Sequence, residues 1–323
     1  MSKPKVIVTR KWPAEVEAQL KALYDVQLNE PDIPMTADEL KKALQSADAL
    51  LPTVTDLITA DILNIDDKRA KIIGNFGVGY NNIDINTAKA QGLVVTNTPH
   101  VLTDCTADIA ILLLLMSARR ASEGERLILH QQWTGWKPTQ LLGQKVTGKT
   151  LGLIGFGRIA QAMAKKAHHG FGMKILFYAP SQPAQNIIDD LQATRCETVE
   201  ELLSAADFVS LHCPGGEATR HLINEQRLKL MRPSAHLINT ARGDVVDSKA
   251  LIIALTEGWI AGAGLDVFEG EPTIDPGFLE LDNVALLPHL GSATEETRVA
   301  MGKRVLANIA AFFAGEEPGD RVV

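Results

Sequence analysis

An alternation of short aliphatic runs with stretches of helical periodicity dominates this chain. The first series reads "KVIVT", "AEVEAQLKAL", "DVQL", "TADELKKALQSA", "ADALL" and "KIIGN". A long apolar helix is expected over Thr103–Ala121, and beyond "QQWTGWKPTQLLG" the alternation resumes with "TLGLIG", "KILFYAP", "DFVSLHCP", "AHLINTARG", "IAGAGLDVF" and "NVALLPH". Strand–helix–strand units bury their apolar faces by laying the strands parallel and covering both sides with helices, so the pattern predicts an α/β fold. Thr36 with Glu39, and Ser292 with Glu295, have the spacing of capping boxes and predict two helix starts. At 323 residues the chain exceeds what one core usually supports, and two interrupted series predict two doubly wound parallel-sheet domains.

The second series opens on the most specific stretch, "LGLIGFGRIAQAMAKKA". Gly155-x-Gly157-x-x-Ala160 lies between a strand and a helix, the context in which such spacing binds a dinucleotide. Gly155 permits the tight turn, Gly157 lets the backbone approach a pyrophosphate, and Ala160 allows close helix packing. The helix amides and dipole would then face the phosphates. The bland alternative is a glycine-rich turn with no ligand. An acid that takes the ribose 2′-hydroxyl normally follows about 20 residues on. Here Ala179, Pro180, Ser181 and Gln182 occupy that place, with no carboxylate to repel a 2′-phosphate and no arginine among them to pair with one. This weakly favours NADP and leaves NAD usable.

Composition excludes other classes. With 39 acidic against 32 basic side chains the net charge is −7, and no basic stripe offers a footprint for nucleic acid. The longest apolar run is too short to span a bilayer, and "MSKPKVIVTR" lacks a signal-peptide core, so no membrane association is expected and the location is expected to be cytoplasmic. Three cysteines, Cys105, Cys196 and Cys213, form no Cys-x-x-Cys pair, which argues against disulfides and zinc, and no metal is expected.

Ligands of open α/β sheets bind beyond the carboxyl ends of the strands. There the sequence puts Arg242, Asp266, the loop acids Glu269 and Glu271, and His289. An arginine suits a carboxylate, which its fork matches in two bonds, and a histidine suits proton transfer near neutral pH. Each taken singly also reads as a structural residue; their common edge beside the glycine loop points to a site. Leu51, ending "ADALLP", reads equally as a substrate-pocket edge or as strand-end packing.

The residues "GFGRIA", "NTARGDVVD", "GLDVFEGEP" and "PHLGSAT", with "GVGYNNID" and "SARRASEGE", resemble the D-isomer-specific 2-hydroxyacid dehydrogenase family almost end to end. Within it the chain is similar to glyoxylate/hydroxypyruvate reductases, also called D-glycerate dehydrogenases. The resemblance implies a Rossmann NAD(P)-binding domain, residues 101–291, inserted into a flavodoxin-like substrate domain made of residues 1–100 and 292–323. It implies NAD(P)H-dependent reduction of a small 2-oxo acid such as glyoxylate or hydroxypyruvate, with hydride from the nicotinamide and the proton from His289. Arg242 would hold the substrate, Glu271 would orient and charge His289, and Val78, Gly79 and Leu51 would complete the substrate site. The cofactor would meet Gly155, Phe156, Gly157, Arg158, Ile159, Ala179, Ser181, Cys213, Pro214, Thr240, Ala241, Asp266 and Gly291. The "IIGNFGVGYNN" loop carries no lysine or arginine, which disfavours a phosphorylated substrate. A homodimer is implied, with Trp133 or Trp136 reaching the partner. Two alternatives remain open: an NAD(H)-sensing corepressor-like binding module of the same fold, and a broader 2-ketoacid or 2-ketogluconate reductase.

Overall fold

The computed structural model describes residues 2–323 and divides into two units, Met1–Leu102 with Ser292–Val323, and Thr103–Gly291.

The unit formed by both chain ends holds β1 (Lys5–Val8), β2 (Asp25–Gln27), β3 (Ala49–Leu51), β4 (Ile72–Gly74) and β5 (Val94–Thr96). Their order is β2-β1-β3-β4-β5 and every pairing is parallel, the flavodoxin-like order. Strand β5 is absent from the series read along the sequence. The expected box of Thr36 and Glu39 is complete on both sides. The box expected from Ser292 and Glu295 is not formed: helix Glu295–Phe313 is capped by Thr294, whose hydroxyl accepts from the Thr297 amide. The reason is that the Ser292 carbonyl closes a turn with the Thr294 amide at 3.0 Å, which delays the helix by two residues.

The second unit holds β6 (Thr150–Ile154), β7 (Lys174–Tyr178), β8 (Thr194–Arg195), β9 (Phe208–Leu211), β10 (His236–Asn239), β11 (Gly262–Leu265) and β12 (Val284–Leu286). All run parallel in the order β12-β11-β10-β9-β6-β7-β8. The chain reverses its direction of winding at β6, which lies between β7 and β9; that is the switch point where a doubly wound sheet opens a crevice. Strands β9, β10 and β11 are buried along their whole length, as expected where helices cover both faces. One helix lies so close to β11 that a Cβ on Gly264 would meet Leu113 at 2.9 Å, and one on Gly262 would meet Ser117 at 2.9 Å. The "GAG" run is therefore a packing surface. The long helix expected over Thr103–Ala121 ends at Ala118, and Ala121–Leu129 forms a second helix. Arg120, in the left-handed region at φ 51°, separates them. No helix among the described residues is long and apolar enough to cross a membrane.

Candidate active site

Parallel pairing brings the carboxyl ends of β6, β7, β9, β10, β11 and β12 to one edge of the second unit. The Gly155–Ile159 loop, Ala179 and Ser181, Cys213 and Pro214, Thr240 to Arg242, Asp266 and His289 all follow those strands. Val78, Gly79 and Leu51 belong to the other unit.

The glycine loop has the shape a dinucleotide requires. Gly155 sits at φ +86°, and a Cβ there would lie 2.7 Å from the backbone of His212 and Cys213. Its amide donates to the Tyr178 carbonyl at 2.8 Å, which ties the loop to the end of β7. Gly157 has open space where a side chain would be and caps helix Arg158–Phe171 with no side-chain hydrogen bond. The first amides of that helix thus keep their donors for an anion. Nearby, the buried Thr240 hydroxyl has no hydrogen-bond partner in the protein, and burial pushes the Cys213 thiol up to about 11, so it stays neutral. These features fit a bound NAD(P) held by the loop.

Arg242 is placed by the turn after β10. The Asn239 side chain donates to the Arg242 carbonyl at 2.8 Å and accepts from the Ala241 amide at 3.0 Å, closing the turn from inside. Gly243 must follow, because a Cβ there would stand 1.9 Å from the Phe268 carbonyl carbon. Burial pushes the Arg242 guanidinium down, against the charges of Glu271 and Asp244, yet an arginine remains charged.

Glu271 bridges the remaining parts. One carboxylate oxygen accepts from the Phe268 amide at 2.8 Å and the other meets His289 Nδ1 at 2.8 Å. Burial pushes this carboxyl up, but the His289 hydrogen bond and charge, the Phe268 amide and the Arg242 charge outweigh it and hold Glu271 below its ordinary range. An ionised carboxylate only accepts, so Nδ1 of His289 is the donor and Nε2 is left for another partner. Glu269 belongs to a different cluster, accepting from Arg220 at 2.8 Å and His221 at 3.0 Å.

His289 lies in the left-handed region at φ 55°, a conformation that a non-glycine residue holds only with support. Asp266 supplies it: the buried carboxylate accepts from the Leu290 amide at 2.6 Å and the Gly291 amide at 2.8 Å, while the Gly291 carbonyl accepts from Thr106. Burial pushes the Asp266 carboxyl up. Asn239, Thr106 and Gly243 escaped the sequence reading. Only Asn239 carried a signal, as an asparagine beside a strand end that can close a turn on its own backbone.

In the other unit Leu51 shows the strand-end packing that was one of its two readings. It is fully buried in β3, its side chain standing where a Cβ on Gly74 would touch it at 2.9 Å. The Val78–Gly79 loop is fixed by asparagines. Asn97 donates to the Val78 carbonyl at 2.8 Å and Asn75 to the Gly79 carbonyl at 2.8 Å. With the carbonyls held, the Val78 and Gly79 amides donate to no acceptor among the described residues.

Residues 111–291 match the family described as D-isomer specific 2-hydroxyacid dehydrogenase, NAD binding domain. Over 99% of its length the chain is 46% identical to a glyoxylate reductase of Thermococcus litoralis, covering 97% of that protein. Among solved structures, a protein of Thermus thermophilus superposes with a TM-score of 0.90 at 39% identity, over 99% of this chain and all of that one. The NADPH-dependent glyoxylate/hydroxypyruvate reductase of Sinorhizobium meliloti, in complex with NADP and malonate, gives 0.87 at 34% identity, over 100% and 97% of the two chains. With its glycine loop, its Arg242–Glu271–His289 edge and relatives matched over nearly their full length, the chain belongs to the D-isomer-specific 2-hydroxyacid dehydrogenase family.

Proposed function

We propose that the protein reduces a small 2-oxo acid, glyoxylate or hydroxypyruvate, to the corresponding 2-hydroxy acid with NAD(P)H. The observation that carries the reading is the 2.8 Å contact between Glu271 and His289 Nδ1, which leaves Nε2 free, in the field of the charged Arg242. The nicotinamide, when bound, supplies a hydride to the carbonyl carbon. Arg242 holds the substrate through a forked pair of hydrogen bonds to its carboxylate. In the other unit, the unpartnered amides of Val78 and Gly79 are donors that suit an anion. His289 gives the Nε2 proton to the carbonyl oxygen, and ionised Glu271 stabilises the imidazolium that carries it. Asp266 keeps the ring in place through the Leu290 and Gly291 amides.

Loss of reduced-cofactor absorbance tests this with glyoxylate, hydroxypyruvate, pyruvate and 3-phosphohydroxypyruvate in parallel. Turnover on the first two and little on the phosphorylated acid is expected. Cofactor binding with no turnover on any would overturn the reading and favour a sensing module.

The homodimer belongs to the same proposal. Ile128, Leu129, Trp133, Trp136 and Leu142 are all more than half exposed within one segment, an apolar concentration suited to a second copy. Sedimentation giving twice the chain mass, reduced to a monomer by Trp136→Ser, is expected.

A further inference from the structure

The residues after β7 lack an arginine in sequence, yet the fold brings one to them. Strand β8 is only Thr194 and Arg195, and it pairs in parallel with β7 so that Arg195 lies beside Phe177. From there the guanidinium reaches past the end of β7. Nη1 donates to the Gln182 side chain at 2.7 Å and Nη2 to the Ala179 carbonyl at 3.1 Å. These two bonds leave about three of the five guanidinium N–H donors uncommitted to the loop. The same stretch is joined to the glycine loop, since the Gly155 amide donates to Tyr178, the residue before Ala179. Arg195 is therefore bonded to a segment that is itself anchored to the glycine loop.

We infer that Arg195 and Ser181 form a site for the 2′-phosphate of the cofactor, making the protein selective for NADPH over NADH. The inference rests on the cofactor reading given above. Four physical features carry it. No carboxylate occupies 179–182, so no acid of that stretch competes for the 2′-hydroxyl or repels a dianion. The arginine is exposed and already oriented by Gln182 and Ala179, which lowers the entropy lost on binding. Its fork matches two phosphate oxygens. Finally, the Ser181 hydroxyl lies in the stretch that the arginine spans and can donate to a third oxygen.

The test measures dissociation constants of NADPH and NADH with the full chain by titration of nicotinamide fluorescence, and repeats them with 2′,5′-ADP and 5′-ADP by thermal shift. The unmodified protein is expected to bind NADPH tighter than NADH by about tenfold or more, the scale of one or two charge-assisted hydrogen bonds. Arg195→Gln should remove most of that ratio, acting on NADPH and 2′,5′-ADP far more than on NADH and 5′-ADP. Ala179→Asp, which leaves Arg195 in place, should reverse the ratio by repelling the phosphate. Equal binding of both dinucleotides by the unmodified protein overturns the inference, as does an Arg195→Gln loss that falls equally on both, which would make Arg195 only a tether of the loop. Failure to bind either dinucleotide would overturn the cofactor reading itself, a result distinguishable from equal binding.

Discussion

At the scale of single residues, the proposed chemistry rests on pairs that constrain one another. His289 can present Nε2 only because Glu271 takes Nδ1, and Glu271 stays an anion because its surroundings hold it below the ordinary carboxylate range. His289→Ala is expected to lower kcat by about 10²- to 10⁴-fold, the usual contribution of a positioned general acid, with the dissociation constant of the reduced cofactor unchanged. Glu271→Gln keeps a hydrogen-bonding group but not the charge. It should cost about 10²-fold or more in kcat, by analogy with neutralising a triad carboxylate, and leave KM closer to normal. Arg242→Lys replaces a fork by a point donor and should raise KM by about tenfold or more. Steady-state rates across a glyoxylate titration separate the three, and a kcat retained by Glu271→Gln would remove that residue from the chemistry. Arg242 and His289 stood out in the sequence because each follows a strand end, whereas Glu271 was told from Glu269 only by the family resemblance. Leu51 stayed open, because a residue ending a strand can face either pocket or core and only packing decides which.

The elements show how close approach overrides propensity. Gly302 lies inside helix Glu295–Phe313, where alanine would normally gain about 1 kcal/mol. A Cβ there would lie 2.7 Å from Cγ1 and 2.8 Å from Cγ2 of Val16, which is fully buried in the neighbouring helix Ala14–Leu23. Overpacking of this kind costs about 1–3 kcal/mol, so the clash wins. Gly302→Ala is expected to lower stability, whereas Gly302→Ala with Val16→Ala should be more stable than the sum of the two single changes. Urea unfolding of all four proteins gives the coupling, and additivity would mean that the helices move apart freely. The glycines of β11 follow the same logic, with Leu113 and Ser117 in the way. A capping box was predictable at Thr36 because all its partners are local. At Ser292 it failed because a turn that uses the Ser292 carbonyl competes with the helix start.

For the whole molecule, acid is the condition that should weaken the second unit. His212 and His236 lie in the second unit, and burial pushes both down to about 4. His236 is bonded to Ser117 at 2.7 Å and stacked on Phe208, with its other ring nitrogen buried and without a partner. Between pH 4 and the unperturbed value near 6.5 the unfolded chain therefore binds more protons than the folded one. Stability is full above about 6.5 and falls as pH drops toward 4, by up to about 3 kcal/mol for each histidine. Urea midpoints at about pH 7.5 and about pH 5 should differ accordingly. His236→Gln, which keeps a group to bond Ser117, should flatten the dependence. An unchanged slope would mean that His236 takes up its proton as readily in the folded protein as in the unfolded chain.

Features written in neighbouring residues could be read from the chain alone. The strand–helix alternation dictated parallel sheets, the Gly155-x-Gly157-x-x-Ala160 loop dictated a strand-to-helix turn open to phosphate, and Arg242 and His289 each stood beyond a strand end. Whatever depends on lateral neighbours was settled only in the folded sheet. Parallel pairing of the two-residue β8 with β7 carried Arg195 to Gln182, and Asp266 reached across to the loop of His289. The cause is the same in each case: a side chain's type is fixed by the residue itself, but a hydrogen-bond partner from another strand is supplied only once the sheet has set which strand lies next to it.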